Sequence, residues 1–184
     1  MQQIDVMFDL ETFGTDPRSV ILSIGAVVFN SKGLGKEFYV EIDPRQTDRI
    51  IQINTISWWF EQSIKPPING SISLKDAAID FTVFMLEEAG VANENNLVYM
   101  DKKIKLWANG IDFDWGLLKE VFLDYQIIPP FKYNDVRDYR TLKALFSNIP
   151  TPPKNAMAHN ALEDAKWQAT HTVDILNSIN YWKD

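Results

Sequence analysis

Acidic residues stand at points along the chain where neither a strand interior nor a helix face requires them. Asp9 and Glu11 lie in FDLET, Asp114 in NGIDFD and Asp164 in HNALED, each where an apolar strand ends or a helix begins. Carboxylate oxygens are the preferred ligands of hard cations such as Mg²⁺ and Mn²⁺. Two such ions are the usual means of cleaving a phosphodiester by in-line displacement. The four positions therefore predict a divalent-cation site.

The first pair is set by strand geometry. Side chains alternate across a strand, so Asp9 and Glu11 point to the same face. Two adjacent carboxylates at the end of an apolar strand repel each other and are costly to bury, and a cation removes that conflict. The alternative is that FDLET ends a strand in a solvated turn, and an Asp-x-Glu pair alone fits both interpretations.

The third carboxylate follows a second apolar segment. Residues 107–110 end a predicted strand, and Asp114 opens the next helix. Helix capping is the alternative role, for which Asp112 is also suited. We assign Asp114 as a ligand and Asp112 as the cap, and we expect Phe113 to anchor the turn in the core.

The last segment combines a cap, a carboxylate and a histidine. Asn160 and Glu163 have the spacing of a capping box, which places His159 just outside a helix and Asp164 in its first turn. A histidine beside a fixed carboxylate suits general-base catalysis near neutral pH. A plain surface histidine is the alternative, and we interpret His171, inside the helix, as structural.

Composition restricts the classes of function. The 184 residues contain no cysteine and two histidines, so disulfides, thiolate zinc sites and multi-histidine metal sites are excluded. One domain over residues 1–184, without a membrane span or a signal segment, is expected to be cytoplasmic. The net charge of -7 indicates contact with few phosphates, hence a small footprint on any nucleic acid.

The elements that must position these residues alternate in type. β-Branched runs predict strands, and apolar spacing with Asn54 or Thr55, and then Ser73, as caps predicts helices. The predicted strands cover residues 4–10, 20–30, 36–42 and about 104–108, and the predicted helices cover 55–62, 73–90, 114–125, 138–147 and 161–179. An antiparallel meander followed by alternating helices and strands is a mixed α/β layout.

The three acidic motifs, in this order, resemble those of the DnaQ-like, or DEDDh, superfamily of 3′–5′ exonucleases. The resemblance runs from residue 5 to about residue 170. The Trp58-Trp59 pair, the WANG stretch and the RDYRTL segment are most similar to a group containing phage exonucleases and the exoribonuclease-like domain found in mycobacteria. The resemblance implies a ribonuclease H-like fold, with a mixed five-stranded sheet flanked by helices.

The resemblance also implies roles for the acidic motifs. His159 would be the general base, and Asp9 would bridge two Mg²⁺ or Mn²⁺ ions. The full set of implied metal ligands is Asp9, Glu11, Asp114 and Asp164. The second motif spans six residues from Asn109 to Asp114, as in oligoribonuclease and one more than in ribonuclease T-like members. That spacing favours Asp114 over Asp112.

Such an exonuclease must hold the last nucleotide unpaired. Thr12 and Phe13, directly after Glu11, are placed to contact its base and sugar. One of Trp58 and Trp59 is expected to face substrate and the other the core, because neighbours on a helix point about 100° apart. The expected substrate contacts are Leu10, Thr12, Phe13, Trp59, Gln62, Asn109 and Arg140. Arg140 is the preferred phosphate contact, and Lys102, Lys103 and Lys105 are expected to be solvated.

The predicted activity is metal-dependent release of nucleoside 5′-monophosphates from single-stranded 3′ ends, with DNA slightly favoured over RNA. The alternatives are an exoribonuclease and a catalytically idle relative that binds nucleic acid or a polymerase. A nucleotide-binding domain would need GxGxxG or GxxxxGK, and neither occurs. We expect no membrane partner and a bacterial or phage-infected cytoplasm. A homodimer through Tyr181 or Trp182 is an open alternative to a fraying C-terminus, which we prefer.

Overall fold

The computed structural model describes residues 2–91, 102–153 and 159–182. A long central strand, β1 (Gln2–Thr12), organises the sheet. It pairs antiparallel with β2 (Ile21–Asn30) and parallel with β4 (Lys102–Ala108). The edges are β3 (Gly33–Glu41), beside β2, and β5 (Val136–Asp138), beside β4, giving the order β3-β2-β1-β4-β5. The predicted mixed sheet of five strands is confirmed.

Five α-helices accompany this sheet in the described ranges. Ser73 caps the second helix by accepting from the N–H of Asp76, and Asn160 caps the last by accepting from those of Leu162 and Glu163, so both predicted caps are confirmed. The helices are α1 (Ile53–Glu61), α2 (Leu74–Glu88), α3 (Ile111–Asp124), α4 (Tyr139–Leu145) and α5 (Ala161–Ser178).

Each face of β1 packs against different helices. Val6, Phe8 and Leu10 belong to the core cluster that contains residues of α2 and α3. Met7 belongs to the opposite cluster, which contains residues of α5. Asp9, two residues further, lies on this α5 side, since its carboxylate contacts a side chain of that helix. Strand alternation thus directs the first acidic pair away from the larger core.

One strand was missed, and two local predictions are wrong. The strand β5 has only three residues and no periodic pattern to reveal it. Neither Asn54 nor Thr55 caps α1, because the helix already begins at Ile53, and its N-cap, Gln52, makes no side-chain capping bond. The predicted fraying C-terminus is instead packed through residue 182, since the Trp182 ring meets Phe29 edge-on at 6.2 Å between centroids.

The predicted Asp112 cap is also wrong. The helix α3 begins at Ile111, three residues earlier than predicted, and its N-cap is Gly110 with φ +94°. The Asp138 carboxylate accepts instead from the N–H groups of Gly110 (3.1 Å) and Ile111 (2.8 Å). A side chain from a distant segment therefore takes the place of a local N-cap side chain.

A glycine brings α5 against the sheet. Gly25 of β2 lies opposite Asp9, and a Cβ built at Gly25 would stand 2.1 Å from the backbone nitrogen of Leu162 and 2.2 Å from the carbonyl carbon of Ala161. Side chains cannot fit at such distances. The first turn of α5 therefore rests directly on β2.

Within the described ranges, no helix is long and apolar enough to cross a membrane.

We predict that Gly25→Ala lowers the free energy of unfolding by about 1–3 kcal/mol or more, because α5 must move away from the sheet. Gly116→Ala is the matched control. Apart from its two chain neighbours and the backbone of α3 itself, no atom of the described residues lies within 4 Å of a Cβ at Gly116, so this change should stabilise by about 0.5–1 kcal/mol. Urea unfolding measures both variants, and equal effects would contradict the close packing of α5 on β2.

Candidate active site

Three carboxylates meet where β1 ends and α5 begins. Asp9, Glu11 and Asp164 each present an oxygen, and these oxygens all lie within 4.8 Å of one another. Asp9 and Glu11 come from the same face of β1, and Asp164 from the first turn of α5. The structure thus brings together three of the four predicted ligands from opposite ends of the sequence.

The fourth predicted ligand lies beside this group. Asp114, in the first turn of α3, is buried and accepts a hydrogen bond at Oδ1 from the N–H of Leu10 at 3.2 Å. Asp114 and the other three carboxylates line one cavity of about 290 Å³. Asp112 is exposed and is not among the residues lining this cavity. The geometry therefore favours Asp114 for the third acidic position.

Burial makes three carboxylates of this cavity, Asp9, Glu11 and Asp114, hard to ionise. Burial raises the pKa of Asp9 from 3.8 to about 7, aided by the charge of Asp164 and opposed by a hydrogen bond from Gln168. Burial and the charges of Asp9 and Asp164 raise the pKa of Glu11 from 4.5 to about 9. Burial and the charges of Asp9 and Glu11 also hold the pKa of Asp114 well above its usual range.

These shifts indicate what the site can bind. Like-charged groups that are buried together ionise fully only when a positive charge stands among them. Among the described residues, no lysine, arginine or histidine forms a salt bridge with Asp9, Glu11 or Asp114. The oxygen-only donor set and its spacing fit a hard divalent cation, for which carboxylates are the preferred ligands.

His159 lies at the edge of the same cavity. Its backbone has φ +70°, a conformation uncommon for a residue other than glycine, and its N–H donates to Asp164 Oδ2 at 2.9 Å. Its ring meets Trp58 edge-on, 4.8 Å between centroids. The carboxylate at the helix start and an aromatic ring of α1 together fix the position of the imidazole.

A larger cavity of about 760 Å³ adjoins the carboxylates and shares Leu10, Glu11 and Phe113 with the smaller one. The helix α1 forms its other wall. Trp59 is buried there and donates from Nε1 to the carbonyl of Thr12 at 2.9 Å. Trp58 lines the same cavity but is 38% exposed. Trp58 therefore offers the accessible ring of the pair, while Trp59 forms part of the wall.

Five of the predicted substrate contacts line these cavities, namely Leu10, Thr12, Trp59, Asn109 and Arg140. Two others are placed differently. Phe13 packs against the small cluster of Val20, Leu22 and Trp59. Gln62 follows the end of α1 and donates from its side chain to the carbonyl of Trp58 at 3.0 Å. Neither Phe13 nor Gln62 is among the residues lining either cavity.

Arg140 is the arginine of the smaller cavity. Its Nη2 donates to the carbonyl of Asn109 at 3.2 Å and lies where a Cβ at Gly110 would be 2.8 Å away. Glycine is thus required at position 110 both for its positive φ and for this contact. Lys103 and Lys105 both pair with Asp135 instead, at 2.8 and 2.6 Å, which agrees with the preference for Arg140. The prediction that the three lysines are solvated is wrong for Lys105, which is buried with its partner Asp135.

Sequence reasoning missed Gln168. It is buried in α5 and donates from Nε2 to Asp9 Oδ1 at 2.8 Å. The available signal was its spacing, since Gln168 follows Asp164 by four residues and so shares its helix face. The spacing alone does not identify the partner, which comes from a strand 159 residues earlier.

The family model for the 3′–5′ exoribonuclease Rv2179c-like domain matches residues 4–176. The chain belongs to this family. The predicted resemblance to exonucleases, and to the exoribonuclease-like group in particular, is therefore confirmed. No curated protein matches the sequence.

Solved structures of exonucleases have the same fold at low identity. The nuclease domain of 3′hExo, a DEDDh family member bound to rAMP, has a TM-score of 0.66 at 15% identity, with 96% of this chain and 93% of that chain covered. The zinc-bound E. coli ExoI–ssDNA complex has a TM-score of 0.69 at 12% identity, with coverages of 98% and 43%. Exonuclease I of Methylocaldum szegediense has a TM-score of 0.66 at 16%, with coverages of 96% and 40%.

These similarities confirm the predicted ribonuclease H-like DEDDh fold. The chain spans about two fifths of the length of the exonuclease I proteins.

We predict that the free energy of unfolding of the metal-free protein falls as pH rises from about 4 to about 9. The folded-state pKa values of Asp9 and Glu11, about 7 and about 9, lie above their ordinary values of 3.8 and 4.5. The folded state then binds more protons than the unfolded state, so stability is lost as pH rises through this window. Urea unfolding in EDTA at several pH values measures the slope.

The control for this slope is the double variant Asp9→Asn, Glu11→Gln, which cannot ionise at these positions and should show a flatter dependence. Asp5 still contributes to the pH dependence of stability in that variant, since burial raises its pKa to about 6 at a separate position of the sheet. Mg²⁺ should stabilise the unmodified protein more at pH 8 than at pH 5. A metal-free stability that rises across this range would contradict the interpretation.

Proposed function

We propose that the chain is a divalent-metal-dependent 3′–5′ exonuclease that releases nucleoside 5′-monophosphates from single-stranded nucleic acid ends. The observation that carries this proposal is the convergence of Asp9, Glu11 and Asp164, with oxygens within 4.8 Å of one another, in a cavity that also contains His159. The match to an exoribonuclease domain family over residues 4–176 supports the reaction type.

The cofactor would be a pair of Mg²⁺ or Mn²⁺ ions, held by Asp9, Glu11, Asp114 and Asp164. Such ions, when bound, lower the pKa of water and stabilise the charge that develops on the leaving 3′-oxygen. Asp9 would be the central ligand of this set, because its charge acts on both Glu11 and Asp114 and it is itself affected by the charge of Asp164. The hydrogen bonds to Asp9, Asp114 and Asp164 orient these carboxylates before a ligand binds.

His159 would accept the proton of the attacking water. Its backbone N–H donates to Asp164, so the imidazole lies beside the carboxylates but is not part of the proposed ligand set. The edge-on contact with Trp58 restricts the ring further. Histidine is the side chain most often used as a general base.

The terminal nucleotide would occupy the cavity between β1 and α1. Trp58 offers a ring on which a base can stack, worth about 1–3 kcal/mol, and Leu10, Thr12 and Trp59 line the adjoining wall. Arg140 would contact a backbone phosphate at the smaller cavity, with Asn109 beside it. Among the residues that the structure describes, no lysine or arginine lines the larger cavity, which supports a short footprint rather than a long phosphate track.

RNA is the more strongly supported substrate class. The family description names exoribonuclease activity, and this outweighs the slight preference for DNA drawn from the sequence. DNA is the second candidate, because one structure with this fold is a complex of ExoI with single-stranded DNA.

We expect Asp9→Ala to reduce degradation to background while the chain stays folded, because this carboxylate lies at the centre of the acidic group. The measurement uses 5′-labelled single-stranded RNA and DNA of matched sequence with Mg²⁺ or Mn²⁺. A ladder of shortened products from the unmodified protein establishes polarity, substrate and metal need together. Absence of a ladder on both substrates would favour the catalytically idle relative.

His159→Ala should lower kcat by about 10²–10⁴-fold, the range for loss of a general base, with little change in Mn²⁺ affinity. His171→Gln is the control histidine variant, since His171 is buried against Tyr139 and away from the carboxylates. A kcat unchanged in His159→Ala would remove the histidine from the mechanism.

Trp58→Ala should raise the KM for oligonucleotides by about 5- to 150-fold, which corresponds to the loss of one stacked base. Phe60→Ala is the matched control, because Phe60 lies on the same helix, is 85% exposed and is not among the cavity residues. Similar KM values for the two variants would show that Trp58 does not contact substrate.

A further inference from the structure

The side chain of Gln168 stands between α5 and the central carboxylate of the site. Its residue is 3% exposed, and Nε2 donates to Asp9 Oδ1 at 2.8 Å. The side chain also lines the small cavity that contains Glu11 and Asp164. A buried amide that contacts a ligating carboxylate fixes which oxygen of that carboxylate is left for another partner.

The same arrangement recurs at the neighbouring carboxylates. Asp114 Oδ1 accepts from the N–H of Leu10, and Asp164 Oδ2 accepts from the N–H of His159. In these two cases the donor belongs to the backbone, which is fixed by the fold. At Asp9 the donor is the Gln168 side chain, so the orientation of Asp9 depends on the identity of one residue.

The other end of the Gln168 amide has no partner. Its Oε1 is buried and accepts no hydrogen bond from the described residues. A buried acceptor left unpaired is costly, and native proteins rarely retain one without a role. A hydrated divalent cation brings water O–H donors into this cavity, and these are the groups that Oε1 lacks.

We propose that Gln168 is a positioning residue of the metal site, which orients Asp9 through Nε2 and accepts at Oε1 from the water of a bound hydrated divalent cation. This inference rests on the proposed metal dependence and goes beyond it, because it assigns a role to a residue outside the ligand set. Gln168 would act on cation affinity and on the rate, and not on the binding of the oligonucleotide.

The test compares Gln168→Met with the unmodified protein at pH 7.5. Methionine has nearly the same length but neither donates nor accepts strongly, so the Mn²⁺ dissociation constant, measured by calorimetry or electron paramagnetic resonance, should rise about 10- to 100-fold. The KM for RNA at saturating Mn²⁺ should stay unchanged while kcat falls. Gln168→Asn, whose amide is one methylene shorter, should show the same loss of affinity and replaces the methionine variant if that variant does not fold.

Thr172→Val is the matched control. Thr172 is buried one turn further along α5 and donates to the carbonyl of Gln168, so its loss also removes a buried hydrogen bond from this helix without touching Asp9. Its Mn²⁺ affinity should equal that of the unmodified protein. In the unmodified protein, the side-chain amide resonances of Gln168 should also shift on titration with Mg²⁺.

The outcomes separate this inference from the proposed function. If the unmodified protein neither binds Mn²⁺ nor degrades RNA or DNA, the metal-dependent function itself is wrong. If it does both and Gln168→Met binds Mn²⁺ equally well, the positioning role is wrong. Equal losses in Gln168→Met and Thr172→Val would likewise overturn it, because they would reflect general loosening of α5. Unshifted amide resonances at saturating Mg²⁺ would overturn the role of Oε1.

Discussion

Repulsion among the closely spaced carboxylates of the small cavity is the constraint on which the rest of the site depends. Asp9, Glu11 and Asp164 present their oxygens within 4.8 Å of one another, and burial raises the pKa values of the first two to about 7 and about 9. The unfavourable free energy of holding these like charges close together is present in the metal-free protein, and a bound cation would offset it. Hydrogen bonds from Gln168 and from two backbone N–H groups hold the carboxylates in place meanwhile.

Close backbone packing brings the carboxylates near enough to repel one another. Gly25 lets the first turn of α5 rest on β2, which carries Asp164 toward Asp9. Gly110 leaves room for the guanidinium of Arg140 against the start of α3, and Asp138 ties that start to β5. Burial disfavours ionisation of Asp138, but hydrogen bonds from Thr141, Ile111 and Gly110 outweigh it and lower its pKa.

The two tryptophans of α1 face different surroundings, as expected for neighbours on a helix, but the accessible ring belongs to Trp58 and not to Trp59, the expected substrate contact. Trp59 is buried and joins α1 to β1 through the carbonyl of Thr12. Trp58 then faces the cavity and meets the His159 ring edge-on. One helix thereby connects the surface on which a base would stack with the group that would accept a proton. Changes in α1 are expected to affect both binding and rate.

The sequence by itself determined the features that depend on local geometry. Strand alternation placed Asp9 and Glu11 on one face, and capping preferences located Ser73 and Asn160, because these effects act within a few residues. The three acidic motifs also indicated the exonuclease family. The bounds of the long strands and helices followed from apolar periodicity to within a few residues.

Only the tertiary structure decided the contacts between distant segments. The cap of α3 comes from Asp138, 28 residues beyond Gly110, and the partner of Asp9 is Gln168, 159 residues away. The short strand β5 and the choice between Trp58 and Trp59 depend likewise on what packs beside them. Such partners follow from how helices and sheet fit together, and no local pattern in the chain records that fit.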